Sequence, residues 1–475
     1  MSTTLPHVVI LGAGPAGVGG AFKLRQGDRA QVTVLEQHAV PGGNAGSFEF
    51  GGMRVDYGSH RLHPATDPGI MAEIQRLLGD DLLDRPRHGR IGLRGRWIHF
   101  PLKPQDLLVR LDPGFALGTL RDMLLKPFRG APTGDSFADV LRANLGPTIC
   151  DSFYFPYARK IWGRDPSQLS GIQARRRVSA GTFLKLIRKV MNAIPGFKPP
   201  GAGRFFYPRH GYGQIVEAYA AAAAALGADF RYSRRVTRLV PPDAERPRWV
   251  VEFQQGETVE RLEADQLWST IPVTLLARLI GDDVPEAVTQ AAAAMEYRGM
   301  LLVYLSVPVD QFTEFDAHYF PSAELRITRL SEPKNYGDLR ATPGRTVLCA
   351  ELPAGPSDPW WTMTDLELGA LVAEDLARAG VPLPVAPEQV HVRRLKQAYP
   401  IYSTGYEVPF QVLDQWADGL PQFLSYGRQG LFAHDNTHHA LAMAYAAAEC
   451  LGPAGFDRTA WAAHREEFAS HVVED

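Results

Sequence analysis

Three glycines, Gly12, Gly14 and Gly17 of GAGPAG, stand between an apolar run, HVVIL, and an apolar-periodic stretch, AFKLRQ. That spacing suits a phosphate. The first glycine permits a tight turn, the second lets a pyrophosphate approach the backbone, and the third lets helix pack on strand, with the anion at the helix N-terminus. Glu36 closes the next apolar run, QVTVLE, where a carboxylate bonds ribose hydroxyls. A second constellation runs from Tyr157 through Trp162 to three consecutive arginines, Arg175, Arg176 and Arg177. Guanidinium forks grip phosphate oxygens bidentately, so the run points to an anionic ligand. Taken alone, it equally describes a solvated helix face.

Two further stretches narrow the ligand. PGGNAGSFEFGGMRVDYGSHRLH places a glycine pair after the second strand, at Gly42 and Gly43, then Asn44, a short hairpin, and two histidines, His60 and His63. A glycine pair and hairpin at this point are typical of FAD proteins rather than NAD dehydrogenases, because glycines admit the dinucleotide to the backbone. YSRRVTRLV resembles the strand whose backbone, around Val236, contacts adenine in two-dinucleotide-domain flavoproteins. YGRQGLFAHDNTHHALAMAYAAAE gives a loop with Gly427 and Arg428, then a helix beginning near Asn436 or Thr437. A helix N-terminus aimed at a flavin stabilises the anion of its reduced form. FAD is therefore the expected cofactor. No metal is expected: of His434, His438 and His439 only the first two have one-turn spacing, and Asp435 is the sole nearby acid.

These residues need a scaffold of several packed elements. The 475 residues exceed one core and predict two or three domains. With 45% hydrophobic and 21% charged residues and a net charge of -2, the chain is ordinary globular protein without the basic excess of a nucleic-acid binder. The expected class is α/β: a Rossmann-like FAD-binding domain with a helical insertion and an antiparallel substrate sheet. Residues 1–103, 201–297 and 396–475 are assigned to the FAD-binding domain, 104–200 to the helical insertion and 298–395 to the sheet. Residues 67–83 predict an amphipathic helix capped by Asp67, RIGLRGRWIHFPL a hairpin turning at Gly95, and DFRYSRRVTRLV a strand. Residues 363–380 predict a helix.

Three distant cysteines, Cys150, Cys349 and Cys450, with no CxxC pair, indicate neither disulfides nor a zinc site and fit a reducing cytoplasm. The N-terminus has no charged region ahead of a long apolar segment, so no signal peptide is expected. No run of about 18 apolar residues predicts a spanning helix. The stretch 181–201, with Lys185, Arg188 and Lys189, is basic and amphipathic. It suits either a membrane surface or a lid over a diphosphate.

Across most of its length the sequence resembles UDP-galactopyranose mutases, within the wider amine oxidase and protoporphyrinogen oxidase-like FAD superfamily. The resemblance is carried by GGNA followed by YGSHRLH, by YARKIWGRDPSQL continuing to the arginines, by ITRLSEPK, by KQAYPIY and by YGRQGLFAHDNTHH. It implies that Arg176 and Arg329 clamp a sugar-nucleotide pyrophosphate, that Tyr157 and Tyr399 bond its phosphates, and that Trp162 lies in the active site. It implies an interconversion of pyranose and furanose forms with N5 of reduced flavin as nucleophile. His60 and His63 would then adjust the flavin or move protons, or be structural. The sequence departs from the mutase pattern where tyrosines become Phe432 and His434 and an Asp-Met pair becomes Asn436 and Thr437. The rival reading from the same superfamily is an oxidoreductase or desaturase of the protoporphyrinogen oxidase or amine oxidase type, which calls for an apolar channel. Expected partners are a nucleotide sugar, NAD(P)H as reductant although no second nicotinamide fingerprint is present, and a second copy of the chain; no nucleic acid is expected.

Overall fold

The computed structural model describes residues 5–101, 106, 110–177, 203–337 and 342–473. Its centre is a five-stranded parallel sheet in the order Phe423–Ser425, Gln266–Ser269, His7–Leu11, Gln31–Leu35, Asp229–Arg231. After His7, the strand's VVIL is apolar and buried because both faces of this sheet are covered. Side chains alternate across a strand. Val8 and Ile10 therefore pack with Phe22, Tyr219 and Leu441 of the helices Pro15–Gln26, Gln214–Ala225 and Thr437–Cys450. Val9 and Leu11 pack on the other face with Trp249, Val251 and Leu276. Those three come from an antiparallel three-stranded sheet, Arg235–Val240, Trp249–Gln255 and Thr258–Ala264, and from the helix Val273–Ile280.

A second, seven-stranded sheet runs Gln389–Pro400, Tyr297–Val307, Thr346–Pro353, Arg329–Ser331, Ala317–Tyr319, Gly89–Leu93, Arg96–Phe100. It is antiparallel except between Ala317–Tyr319 and Gly89–Leu93, which run parallel. One face is covered by the helix Asp365–Arg378, whose Leu368, Val372 and Leu376 pack on Leu301, Val303 and Leu305. The opposite face sets Met300, Leu302 and Tyr304 against the hairpin Ser47–Phe50/Met53–Asp56. The described part of the helical insertion includes Pro113–Leu124, Phe137–Leu145, Phe155–Trp162 and Gly171–Arg177. A capping box between Ser136 and Asp139 starts the second of these.

Most local expectations are met. Asp67 accepts from the Gly69 and Ile70 amides to start its helix, the hairpin turns at Arg94 and Gly95 with positive φ, and the helix over 363–380 spans Asp365–Arg378. Other expectations are corrected. The helix capped by Asp67, expected over 67–83, stops at Leu78, because Leu82–Pro86 leaves to pair with Arg204–Pro208. DFRYSRRVTRLV is two strands in different sheets, broken at Ser233 with φ 54°. The hairpin Gly89–Phe100 joins the seven-stranded sheet although it precedes residue 103, and Gln389–Pro400 runs across the expected boundary at 395. The stretch 181–201 lies outside the described residues. Cys150, Cys349 and Cys450 are buried and free. No helix among the described residues is long and apolar enough to cross a membrane.

Candidate functional site

A cavity of about 1230 Å³ runs between the parallel sheet, the seven-stranded sheet and the helical insertion. Single-ligand pockets usually measure roughly 300–1,000 Å³, so there is room for a dinucleotide and a second molecule. The carboxyl ends of the parallel strands open into it, the usual ligand position in such sheets.

At one end stand Glu36, Val236 and Arg234. Glu36 is held rigidly: one carboxylate oxygen accepts from the Ala13 amide at 2.8 Å and the other from the His38 amide at 2.9 Å. Its remaining lone pairs suit ribose hydroxyls. Arg234 Nε is buried with no hydrogen-bond partner among the described residues, an orphan donor that a polar ligand group would satisfy.

The middle is a glycine cradle. A Cβ on Gly17 would lie 1.9 Å from the Gly12 carbonyl oxygen, so only glycine lets the helix start this close to the turn. A Cβ on Gly14 would meet the Gly43 Cα at 3.7 Å, so the two glycine loops face each other across the space a pyrophosphate would use. The helix Pro15–Gln26 has no side-chain cap and no acid in its first turn, which leaves its N-terminal amides to an anion. These features fit FAD. Glu36 would hold its ribose, the cradle its pyrophosphate, and the second helix N-terminus, at Asn436 and Thr437, its flavin end.

The other end combines cations, hydroxyls and aromatic rings. His60 stacks on Tyr212 at 5.1 Å and bonds the Tyr57 carbonyl at 2.9 Å. Burial lowers its pKa, and the nearby Asp56 only partly opposes this, so it is neutral at neutral pH. Asp56 is itself buried, accepting from Ser47, the Tyr207 hydroxyl and the Tyr212 amide; burial raises its pKa. Arg329 is half-buried and lies against Glu351, with Nε at 2.9 Å and Nη2 at 2.6 Å from one carboxylate oxygen. Burial opposes its charge, but Glu351 more than offsets this, and Arg329 stays cationic. The same oxygen accepts from the Ser59 amide at 2.9 Å. Tyr399 and His434 meet edge-on at 5.0 Å, and Trp162 buttresses both, at 5.8 and 5.3 Å.

Of the residues singled out in the sequence, fifteen line the cavity: Gly12, Gly14, Glu36, Gly43, Asn44, His60, His63, Tyr157, Val236, Arg329, Tyr399, Arg428, His434, Asn436 and Thr437. Gly17, Trp162, Arg176 and Gly427 are outside the lining. Gly17 and Gly427 work behind it, the latter at φ 78° with Ala16 where its Cβ would be. Arg176 does not meet Arg329. It donates to the Tyr402 hydroxyl at 2.9 Å, and its backbone carbonyl accepts from the Val473 amide. Tyr402 in turn accepts from the His434 amide and donates to the Phe432 carbonyl, so Arg176 acts on the cavity wall through Tyr402. Arg175 pairs with Asp135 at the surface.

Sequence reading missed Arg61, paired with Asp316 at 3.2 Å, and also Tyr319, Glu351, Arg393 and Lys396. A signal existed for Glu351, the one charge in the apolar run TVLCAEL. It also missed His471, which meets the buried Asp435 at 3.5 Å and stacks on His439 at 4.2 Å. One candidate ligand atom from each of Asp435, His439 and His471 lies within 4.8 Å of the others. With the Val473–Arg176 bond, this cluster ties the end of the chain to the helix start beside the cavity.

Charge sets the character of the site. Eleven arginines and lysines line it against three carboxylates, Glu36, Glu351 and Asp435, in a chain whose net charge is -2. Such a lining concentrates anions.

Comparison with known proteins agrees with this architecture. A family model described as flavin containing amine oxidoreductase matches residues 17–449. Phytoene dehydrogenase of Streptomyces griseus is 29% identical over 263 residues, 49% of this chain, which covers about half (49%) of that relative's length. Chloroplastic protoporphyrinogen oxidase of Oryza sativa subsp. japonica is 25% identical over 84% of this chain and 79% of its own. Among solved structures, reduced UDP-galactopyranose mutase superposes with a TM-score of 0.80 at 20% identity, covering 99% of this chain and all of the other (100%). A putative protoporphyrinogen oxidase from Exiguobacterium sp. 255-15 gives a TM-score of 0.72 at 19% identity, over 94% and 98% of the two chains. These two structural likenesses concern the fold.

Proposed function

The chain belongs to the flavin-containing amine oxidoreductase family, and from that premise we propose that it is an FAD-dependent mutase interconverting ring forms of a nucleotide-diphosphate sugar. One observation carries the reading. Beyond the dinucleotide cradle, Arg329, Arg393, Lys396 and Arg428 line the cavity beside the phenols of Tyr319 and Tyr399, with Glu351 as the only carboxylate among them. A hydrophobic substrate gives those cations nothing to neutralise, whereas a diphosphate does.

FAD, when bound, supplies a flavin ring that in its reduced form is both electron-rich and nucleophilic. The protein's residues do the rest. Glu36 and the glycine loops hold the cofactor in place, and the helix dipole at Asn436 and Thr437 favours negative charge at its flavin end. Arg329 offers its guanidinium to the substrate diphosphate, whose charge grows as the sugar–phosphate bond opens and falls as it re-forms. Glu351 holds Arg329 until the anion arrives. Arg176 orients Tyr402 and, through it, the His434 segment. Neutral His60 can accept or donate a proton at the cavity wall. NAD(P)H is the proposed reductant.

A second reading has its own support. Arg329 is already neutralised by Glu351, Arg176 is off the lining, and the curated relatives above are a dehydrogenase and an oxidase. An FAD oxidoreductase acting on an apolar substrate would tolerate that arrangement. The test is direct: reduce the purified holoprotein with dithionite without air, add UDP-galactopyranose and UDP-arabinopyranose, and separate the products by chromatography. Ring-contracted sugar nucleotide formed only by reduced enzyme supports the mutase. No conversion, together with bleaching of oxidised flavin by an apolar donor, replaces it with the oxidoreductase.

A further inference from the structure

Asp435 is 3% exposed, and its Oδ1 is buried with no hydrogen-bond partner among the described residues. A buried carboxylate calls for a partner on each oxygen. Two imidazole nitrogens face this one without closing on it. His439 Nδ1 stands 3.9 Å from Oδ1, and His471 Nδ1 stands 3.5 Å from Oδ2. Full hydrogen bonds between such atoms measure about 2.7–3.2 Å. Moreover, His439 Nδ1 has no proton to give. It accepts the Asn436 amide at 3.2 Å, as one half of the capping box that starts the helix Thr437–Cys450. A ring nitrogen that accepts carries a lone pair. A lone pair and a carboxylate oxygen therefore face each other, the arrangement a cation joins.

The third group comes from another part of the chain. His471 follows the helix Arg458–Ala469, and its ring stacks on His439 at 4.2 Å. One ligand atom from each of Asp435, His439 and His471 lies within 4.8 Å of the others. Atoms that share a tetrahedral zinc ion at about 2.0–2.2 Å stand roughly 3.3–3.6 Å apart, so the cluster has at most about 1.5 Å to close. His471 is the residue placed to close it, being half-buried on the short segment past that helix. Asp435 and His439 stand one helical turn apart, a spacing that aligns two side chains on one face. The fold, not the spacing, brings His471 to them.

We propose that Asp435, His439 and His471 bind one divalent ion of the zinc class, and that this ion pins the end of the chain beside the cavity. Two imidazoles and one carboxylate, with water in the fourth position, are a donor set that zinc accepts. Magnesium and calcium call for more oxygen ligands. The helix dipole opposes a cation at this end, and the Asp435 charge offsets it. The site borders the cavity, which both Asp435 and Val473 line. The Val473 amide donates to the Arg176 carbonyl at 3.1 Å, and Arg176 Nη2 donates to the Ala469 carbonyl at 3.4 Å. A bound ion adds a stronger tie, from this terminal strap to the helix that begins beside the cavity. This inference stands independently of the reaction the cavity performs.

Zinc calorimetry tests it, on the tag-free, FAD-loaded full chain stripped beforehand with a chelator. One zinc should bind per chain and raise the melting temperature. His471→Phe keeps a ring to stack on His439 but offers no ligand. It should weaken zinc by at least about a hundredfold, since loss of a mere outer partner of a ligand costs about 10–100-fold. Its melting temperature in chelator should match the parent's, which excludes misfolding. Asp435→Asn keeps the shape, removes the charge and should weaken zinc likewise. Failure of the FAD-loaded parent to bind zinc would overturn the proposal, because Asp435 would then serve the cofactor alone. So would zinc binding undiminished in either variant, which would put the ion elsewhere.

Discussion

Replacing Glu351 by alanine would strip a largely enclosed cation, Arg329, of its buried counter-charge. The side chains of Arg329 and Glu351 are 16% and 6% exposed, so water cannot take over. Breaking such a pair from one side costs about 3–5 kcal/mol, and the Ser59 amide loses its acceptor, adding about 1–3 kcal/mol. The unliganded variant should therefore melt several degrees below the parent. If Glu351 holds Arg329 in readiness for a diphosphate, the penalty is largely removed when one binds. In the parent, the anion competes with Glu351 for Arg329; in the variant it meets no competitor. UDP should then raise the melting temperature of Glu351→Ala more than that of the parent, and titration calorimetry should show UDP affinity at least equal to the parent's. Glu351→Gln, which keeps an acceptor for Ser59 but no charge, should fall between. Adding Arg329→Ala to Glu351→Ala should remove the extra UDP effect. An unliganded variant with the parent's melting temperature would refute the energetic argument. A normal destabilisation with no enlarged UDP effect would refute the role in anion binding and leave Glu351–Arg329 as a structural pair.

Further expectations concern the cofactor and the scaffold. Glu36→Ala removes a charged acceptor that also orders the Ala13 and His38 amides, so FAD affinity by fluorescence titration should fall about tenfold to a hundredfold; unchanged affinity would place the ribose elsewhere. His318 is buried with Nε2 unpartnered, and burial, with some help from Arg90, pushes its pKa down to about 3. The unfolded chain takes up a proton below its ordinary value of about 6.5 while the folded one does not, so stability is lost as pH falls from there toward 3. His318→Phe should flatten that slope, by about 2 kcal/mol at pH 5, and parallel pH–stability curves would contradict it. Lys160 donates to the carbonyls of Phe320, Ser322 and Ile327 at 2.6, 3.0 and 2.7 Å. Lys160→Met should cost about 3 kcal/mol and weaken UDP binding, because those carbonyls belong to the segment leading to Arg329; an unchanged melting temperature would show that water replaces the ammonium.

What could be read in advance was whatever depends on near neighbours. GAGPAG, Glu36 and the Asp67 cap declare themselves because turn, strand and helix chemistry act over a few residues, and the helix expected to begin near Asn436 or Thr437 begins at Thr437 with Asn436 as its cap. Pairings between distant segments were hidden. Nothing in the sequence says that Glu351 will meet Ser59, that Asp316 will meet Arg61, or that Leu82–Pro86 will leave a helix to pair with Arg204–Pro208. The arginine run shows the same limit: its charge was visible, but Arg176 is set on Tyr402 by contacts 226 residues apart.

The central sheet draws its middle strand from His7–Leu11 and one edge from Phe423–Ser425. A ribosome working at roughly 5–20 residues per second delivers those two strands about 20–80 s apart. Through that interval the glycine loop waits without the helix Thr437–Cys450 that packs beside it. A nascent chain can bury the first strands only provisionally, and its dinucleotide groove cannot close until the helix Thr437–Cys450 leaves the exit tunnel. Cofactor capture is thus a late event in the protein's biogenesis, and chains interrupted before that helix should be cleared as empty intermediates rather than accumulate as partly active enzyme.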